Sequence, residues 1–190
     1  MKRTVLTTLV MIGAAMLVAT PAMAQPVSAS SPMVVTANNV GIFTFSITNN
    51  AFNFGNVNAI GTTSSTGVTA TVSGNNAIYE QLAADTWTCT SAPPRTVSIY
   101  NDVPSAAATL PTGVTESQLA IRIPSVDSGT TDGYRTADQT GAAAGQLISG
   151  LTVGNGSNAV TGSIDLQLTV EDADALGAMQ WNLVLTAASS

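Results

Sequence analysis

Apolar and polar residues alternate one for one through segment after segment of this chain, and that period of two leaves few folds open. In VGIFTFSIT, Phe43, Phe45 and Ile47 share one face while Thr44, Ser46 and Thr48 take the other. Successive side chains of a strand point to opposite faces, so a half-buried strand writes this pattern and a helix does not. TGVTATVSG repeats it with Val68, Ala70 and Val72, DTWTCT with Trp87 and Cys89, RTVSIY with Val97 and Ile99, and QLAIRIP with Leu119, Ile121 and Ile123. Asn49-Asn50, Pro93-Pro94, Pro104 and Pro111 punctuate these runs. AFNFGNV resumes the alternation with Phe52 and Phe54, and NNAIYEQLA reads as a single helical turn or a loop. The longest non-periodic stretch, residues 125–145, is rich in Gly, Thr and Asp and predicts a surface excursion.

The most regular unit is the last. GSIDLQLTVE sets Ile164, Leu166, Leu168 and Val170 against Asp165, Gln167, Thr169 and Glu171; after DADALG, AMQWNLVLTA returns with Met179, Trp181, Leu183 and Leu185. This predicts an antiparallel hairpin whose two apolar rows face one core. With no helix-period segment of useful length, the expectation is all-β: a single antiparallel β-sandwich over residues 38–190.

The start of the chain reads differently. Lys2 and Arg3 precede an apolar run from Val5 to Val18, and Ala22-Met23-Ala24 follows. That is the layout of a cleaved signal peptide over residues 1–24, with residues 25–37 as a flexible lead-in. The run is short for a membrane anchor and no second apolar span follows, so export to the periplasm, the cell surface or the medium is expected. Beyond residue 24 the basic residues are Arg95, Arg122 and Arg135, against eleven acids, a net charge of −8, and there is no histidine. Such a chain does not neutralise phosphates, which excludes nucleic acid as a partner.

The same inventory removes most chemistry. A nucleophilic triad lacks its histidine base, and a Ser–Lys pair lacks its lysine. A single cysteine, Cys89, forms no internal disulfide and builds no thiolate metal site; its alternation with Trp87 predicts burial. Glu80, Glu116 and Glu171 are carboxylates without an evident partner in a cleft, so no enzyme and no cofactor is expected. Two acidic groups bear on calcium: Glu171, Asp172 and Asp174 in the C-terminal turn, and Asp127, Asp132 and Asp138 in the long loop. Turn aspartates also cap their own backbone, and the spacing matches no calcium loop. Asn155-Gly156-Ser157 has the form of a glycosylation sequon.

Two tryptophan motifs carry a resemblance. DLQLTVEDADALGAMQWNLVLTA, with Trp181-Asn182-Leu183 near its end, resembles the close of bacterial WxL-type surface domains. Trp87-Thr88-Cys89 stands where that family has its first motif, with cysteine in place of leucine. The resemblance implies a secreted, non-enzymatic β-sandwich held non-covalently on a cell-wall polymer such as peptidoglycan, with Trp87, Trp181 and Leu183 as wall-contacting candidates. Each has a plain reading beside it, since a large apolar residue in an alternating row is ordinarily core. A more distant likeness is to fimbrial and coat-like subunits, which implies assembly with copies of itself, Met33-Val34-Val35 supplying the added strand. A carbohydrate-binding module is the third expectation, with Tyr79, Tyr100 and Tyr134 as candidate platforms.

Overall fold

The structure is a computed structural model that describes residues 41–49, 51–104, 106–154 and 159–189. The expected signal peptide, the expected lead-in with Met33-Val34-Val35 and the Asn155 sequon lie outside the described residues.

Among the described residues, ten strands form two antiparallel sheets. They are β1 (Ile42–Ile47), β2 (Thr69–Ser73), β3 (Asn76–Ala92), β4 (Arg95–Asp102), β5 (Leu119–Arg122), β6 (Thr130–Thr131), β7 (Arg135–Thr136), β8 (Gln146–Val153), β9 (Ala159–Glu171) and β10 (Val184–Ser189). A 3₁₀ turn at Glu116–Gln118 and a single helical turn, α1 (Gly141–Ala144), interrupt them. The large sheet runs β1-β3-β9-β5-β7, with β2 also on β3; the small sheet runs β10-β4-β8-β6. Among the described residues no helix is long and apolar enough to cross a membrane.

β3 organises the large sheet. Its first residues pair with β2 and its last six with β1 on one edge, while β9 runs along the other. NNAIYEQLA therefore is neither helical turn nor loop but the start of this strand. Ala77 and Tyr79 alternate inward there and are fully buried, and two neighbouring strands supply the ladder that local propensity left open. Between Gln81 and Asp85 the register slips against β9, and Ala83 takes φ 49°, a bulge that re-aims the strand midway.

Two apolar clusters form the core, the larger between the two sheets and the smaller between the large sheet and the loops that cover it. The larger joins Trp87 and Cys89 of β3, Val97 and Ile99 of β4, Leu151 and Val153 of β8, and Ile164 of β9. The smaller gathers Ala77, Tyr79, Leu119, Ala137, Leu168 and Val170. Cys89 is free and fully buried, and burial raises its thiol pKa. Each large apolar side chain buried this way stabilises by roughly 1.5–3 kcal/mol.

The C-terminal hairpin is corrected. β9 belongs to the large sheet, whereas β10 pairs with β4 in the small one. The segment from Asp172 to Leu183 carries the chain from one sheet to the other, held midway by a bridge between Thr109 and Gln180. The two apolar rows do meet, but across the sandwich: Leu183 and Leu185 pack on the cluster of Ile164, and Met179 and Trp181 on that of Leu168 and Val170. A period of two fixes which face a side chain takes; it does not name the strand's neighbour.

Candidate functional site

The two tryptophans occupy different environments. Trp87 lies on the inner face of β3, opposite Ile47 of β1 and Gly162 of β9, with no exposed surface. Its ring is tilted against Phe45 with centroids 6.3 Å apart. A polymer outside the sandwich cannot touch it. Trp181 is on no strand. It is half-buried over the smaller cluster, and its indole N–H points to the Thr115 carbonyl at 3.4 Å. The Asn182 amide donates to the Ala106 and Ala107 carbonyls at 3.3 and 2.8 Å, which fixes the segment against the loop after β4. Leu183 is half-buried and touches both clusters. The structure thus does not bring Trp87 and Trp181 together at one surface.

The tyrosines divide likewise. Tyr79 is fully buried, so it is no sugar platform: its hydroxyl accepts the Asn58 N–H at 2.9 Å and lies 2.9 Å from the Thr62 carbonyl. A tyrosine at an inward position of a strand can bury its ring when a loop brings backbone partners to its hydroxyl, as residues 58–62 do here. Tyr100 is half-buried on β4. Tyr134 is half-buried beneath the Arg122 guanidinium, whose carbon stands 4.5 Å from the ring centroid.

Tyr134 leads to a group that sequence reasoning missed. Its hydroxyl donates to Glu80 Oε1 at 2.6 Å, and Arg122 bridges Glu80 at 3.8 Å and Asp165 at 2.9 Å. The other Asp165 oxygen accepts the Ala83 N–H at 2.8 Å, at the bulge of β3. Asp165 is 2% exposed although it sits at a polar position of the alternation. The bulge leaves an unpaired N–H at this point, and the carboxylate covers it while Arg122 neutralises the charge. Burial and then the bond to Glu80 raise the Tyr134 pKa; the Asp165 bond chiefly raises that of Arg122. The available signal was scarcity: in a chain where 8% of residues are charged, Asp165 and Arg122 each stood between apolar neighbours inside a strand. The arrangement locks a protein backbone, and both Asp165 oxygens are already occupied.

Several carboxylates of the acidic loops are taken up by hydrogen bonds within the protein. Asp174 accepts the Glu171 N–H and the Gln118 side-chain amide, both at 2.8 Å, and Asp132 accepts the Gln146 amide at 3.0 Å. Thr136 donates its hydroxyl to Asp138, while Asp127, Asp172, Glu116 and Glu171 are exposed. Among the described residues no three His, Cys, Asp or Glu side chains are grouped to hold a metal ion.

The outer face of the large sheet is the remaining surface with order in it. Beyond the bulge, β1, β3 and β9 turn hydroxyl side chains outward in register: Thr44 beside Thr90, and Ser46 beside Thr88 beside Thr161. Comparison with protein-family models, with curated proteins and with solved structures found no match for this chain.

Proposed function

We propose that this is a secreted, non-enzymatic envelope protein of the WxL type that holds a cell-wall polymer non-covalently. The observation that supports this reading is the setting of Trp181. Of the two tryptophans it alone has exposed surface, and its flanks are tied down by the Asn182 amide and the Thr109–Gln180 bridge. A half-open indole on an anchored segment has the shape of a contact for a sugar ring, apolar below and able to hydrogen-bond at its edge. Trp87, in this reading, serves the core alone. The test is co-sedimentation with purified cell walls, run on the wild type, Trp181→Phe and Trp181→Ala beside urea denaturation of each. Pelleting that weakens in Trp181→Ala beyond its loss of folded protein supports the reading. Pelleting that tracks the folded fraction removes Trp181 from the contact.

Self-assembly is the second reading, and edges favour it. Among the described residues, β1 and β10 each pair on one side only, and an unpaired edge accepts an added strand from a neighbour. Size-exclusion chromatography of the purified chain separates the readings, since large concentration-dependent polymers belong to the second.

A further inference from the structure

We propose that β1 and β10 together form the contact by which two copies of this chain join as a closed dimer. The two strands end their sheets on the same side of the sandwich. Arg95 marks this. Its Nη1 lies 3.4 Å from the Ser189 hydroxyl at the end of β10, and its Nη2 would lie 3.2 Å from a Cβ at Gly41, just before β1. Phe43, Phe45 and Ile47 of β1, and Leu183, Leu185 and Ala187 on and just before β10, pack on one cluster from the two sheets. All six are half-buried, whereas Trp87 and Cys89 on β3 and Val97 and Ile99 on β4, one strand further in, are fully buried. The core therefore reaches the surface along a seam between two strand edges. Among the described residues no backbone hydrogen bond reaches the far edge of either strand.

Three features point to a second copy as the occupant. The first is the edge itself: its row of N–H and C=O groups is satisfied by another strand. The second is missing protection. Edges that stay single are very short, bulged, or guarded by lysine or proline. The opposite end of each sheet follows this rule, since β7 and β6 have two residues each. β1 and β10 do not. IFTFSI and VLTAAS are six residues each, continuous in register, without a charge or a proline, and Ile42 is 56% exposed. The third is symmetry. A two-fold axis perpendicular to the sheets lays β1 antiparallel beside β1 of the second copy, and in the same operation β10 beside its own counterpart. Both edges and the half-buried row between them are then covered at once. Like meets like here, and uncharged strands do so without the repulsion that the acidic loops of such a chain bring. Strands about 20 Å long on sheets about 10 Å apart give a contact at the small end of specific interfaces, about 1,200 Å² in total, so the pair should dissociate on dilution. This goes beyond both readings above: a closed pair is compatible with wall binding and competes with the open polymer for the same edges.

The experiment is sedimentation velocity of the purified full chain from roughly 1 μM to 1 mM, with bis-maleimide cross-linking of added cysteines as a second readout. The expected result is a shift from monomer to dimer with concentration and nothing larger. Thr44→Lys with Ser46→Lys keeps the new side chains on the exposed face of β1 but sets like charges against each other across the new pairing, so the dimer should be lost while the urea midpoint is kept. Thr152→Lys, at an exposed position of β8, is the control and should still dimerise. Ser46→Cys and Ala188→Cys should each link to copies of themselves and Thr152→Cys should not; Cys89, fully buried, takes no part. A monomer throughout the range overturns the proposal, as does a dimer that survives the paired lysines. Polymers that grow with concentration, with Ser46→Cys linking only to Ala188→Cys in a mixture of the two, mean head-to-tail strand addition; they overturn the closed pair and support the open assembly instead.

Discussion

Trp87 fills the space that a side chain at Gly162 would need. The two are directly paired across β3 and β9, and a Cβ built on Gly162 would lie 2.7 Å from the indole Nε1 and 2.8 Å from Cε2 and Cζ2. The glycine lets the largest aromatic of the core lie along the neighbouring backbone.

Gly162→Ala therefore runs against the usual trend. In an unstrained strand, replacing glycine by alanine stabilises by about 0.4–1 kcal/mol through the unfolded chain. Here the methyl meets a buried ring, and overpacking of about 1–3 kcal/mol wins. Urea denaturation should show Gly162→Ala less stable than wild type, and Trp87→Phe should relieve part of that loss in the double variant. A more stable Gly162→Ala would contradict the packing.

The two tryptophans should rank clearly. Trp87→Ala removes a fully buried ring and should cost about 3–5 kcal/mol. Trp181→Ala removes a half-buried one outside the strands and should cost about 1–2 kcal/mol. Equal losses would mean that Trp181 is as deeply enclosed as Trp87.

The sandwich was legible in the chain because alternation reports faces directly. Trp87, Cys89, Val97, Ile99 and Ile121 all point inward as their period of two requires. Partnership was less legible. The hydrophobic rows of β9 and the Met179–Leu185 segment look like neighbours because they are close in sequence, yet they face each other across the core. Tyr79 and Asp165 escaped for a shared reason. Their environments are set by residues far along the chain, Asn58 and Thr62 for the first, Ala83 and Arg122 for the second. No local pattern records such partners.

Asp165→Ala tests the bulge. It strips the acceptor from the Ala83 N–H and from Arg122 together, and an orphaned buried donor costs about 1–3 kcal/mol. Hydrogen exchange should locate the loss at residues 82–85. A loss spread evenly over β3 would argue against a local clamp.

Stability should fall at high pH through Tyr134. Its folded pKa is raised, so the folded state holds the proton more tightly than the unfolded chain. The contribution is complete below the ordinary tyrosine pKa of about 10 and is lost as pH climbs above it. Comparing the pH dependence of the urea midpoint for wild type and Tyr134→Phe isolates this residue. The wild type should lose more above pH about 10; parallel curves would mean that burial and the bond to Glu80 do not raise the Tyr134 pKa.

Cys89 should resist thiol reagents in the native protein and react at once in denaturant. It has no exposed surface, and burial disfavours the thiolate that reacts. Rapid native labelling at neutral pH would place it elsewhere.

The pairing of β3 with β9 also sets a timetable. Its contacts join Thr90 to Ala159 and Asn76 to Glu171, residues separated by the whole of the small sheet's first strands and the long loop. Distant pairings of this kind close late and make folding slow. As the chain emerges from its N-terminal end, β3 waits with one edge bare until β9 arrives. A nascent chain halted before Ala159 would then present the longest strand among the described residues to whatever passes, which makes the interval before β9 appears a time when this protein is exposed to mispairing.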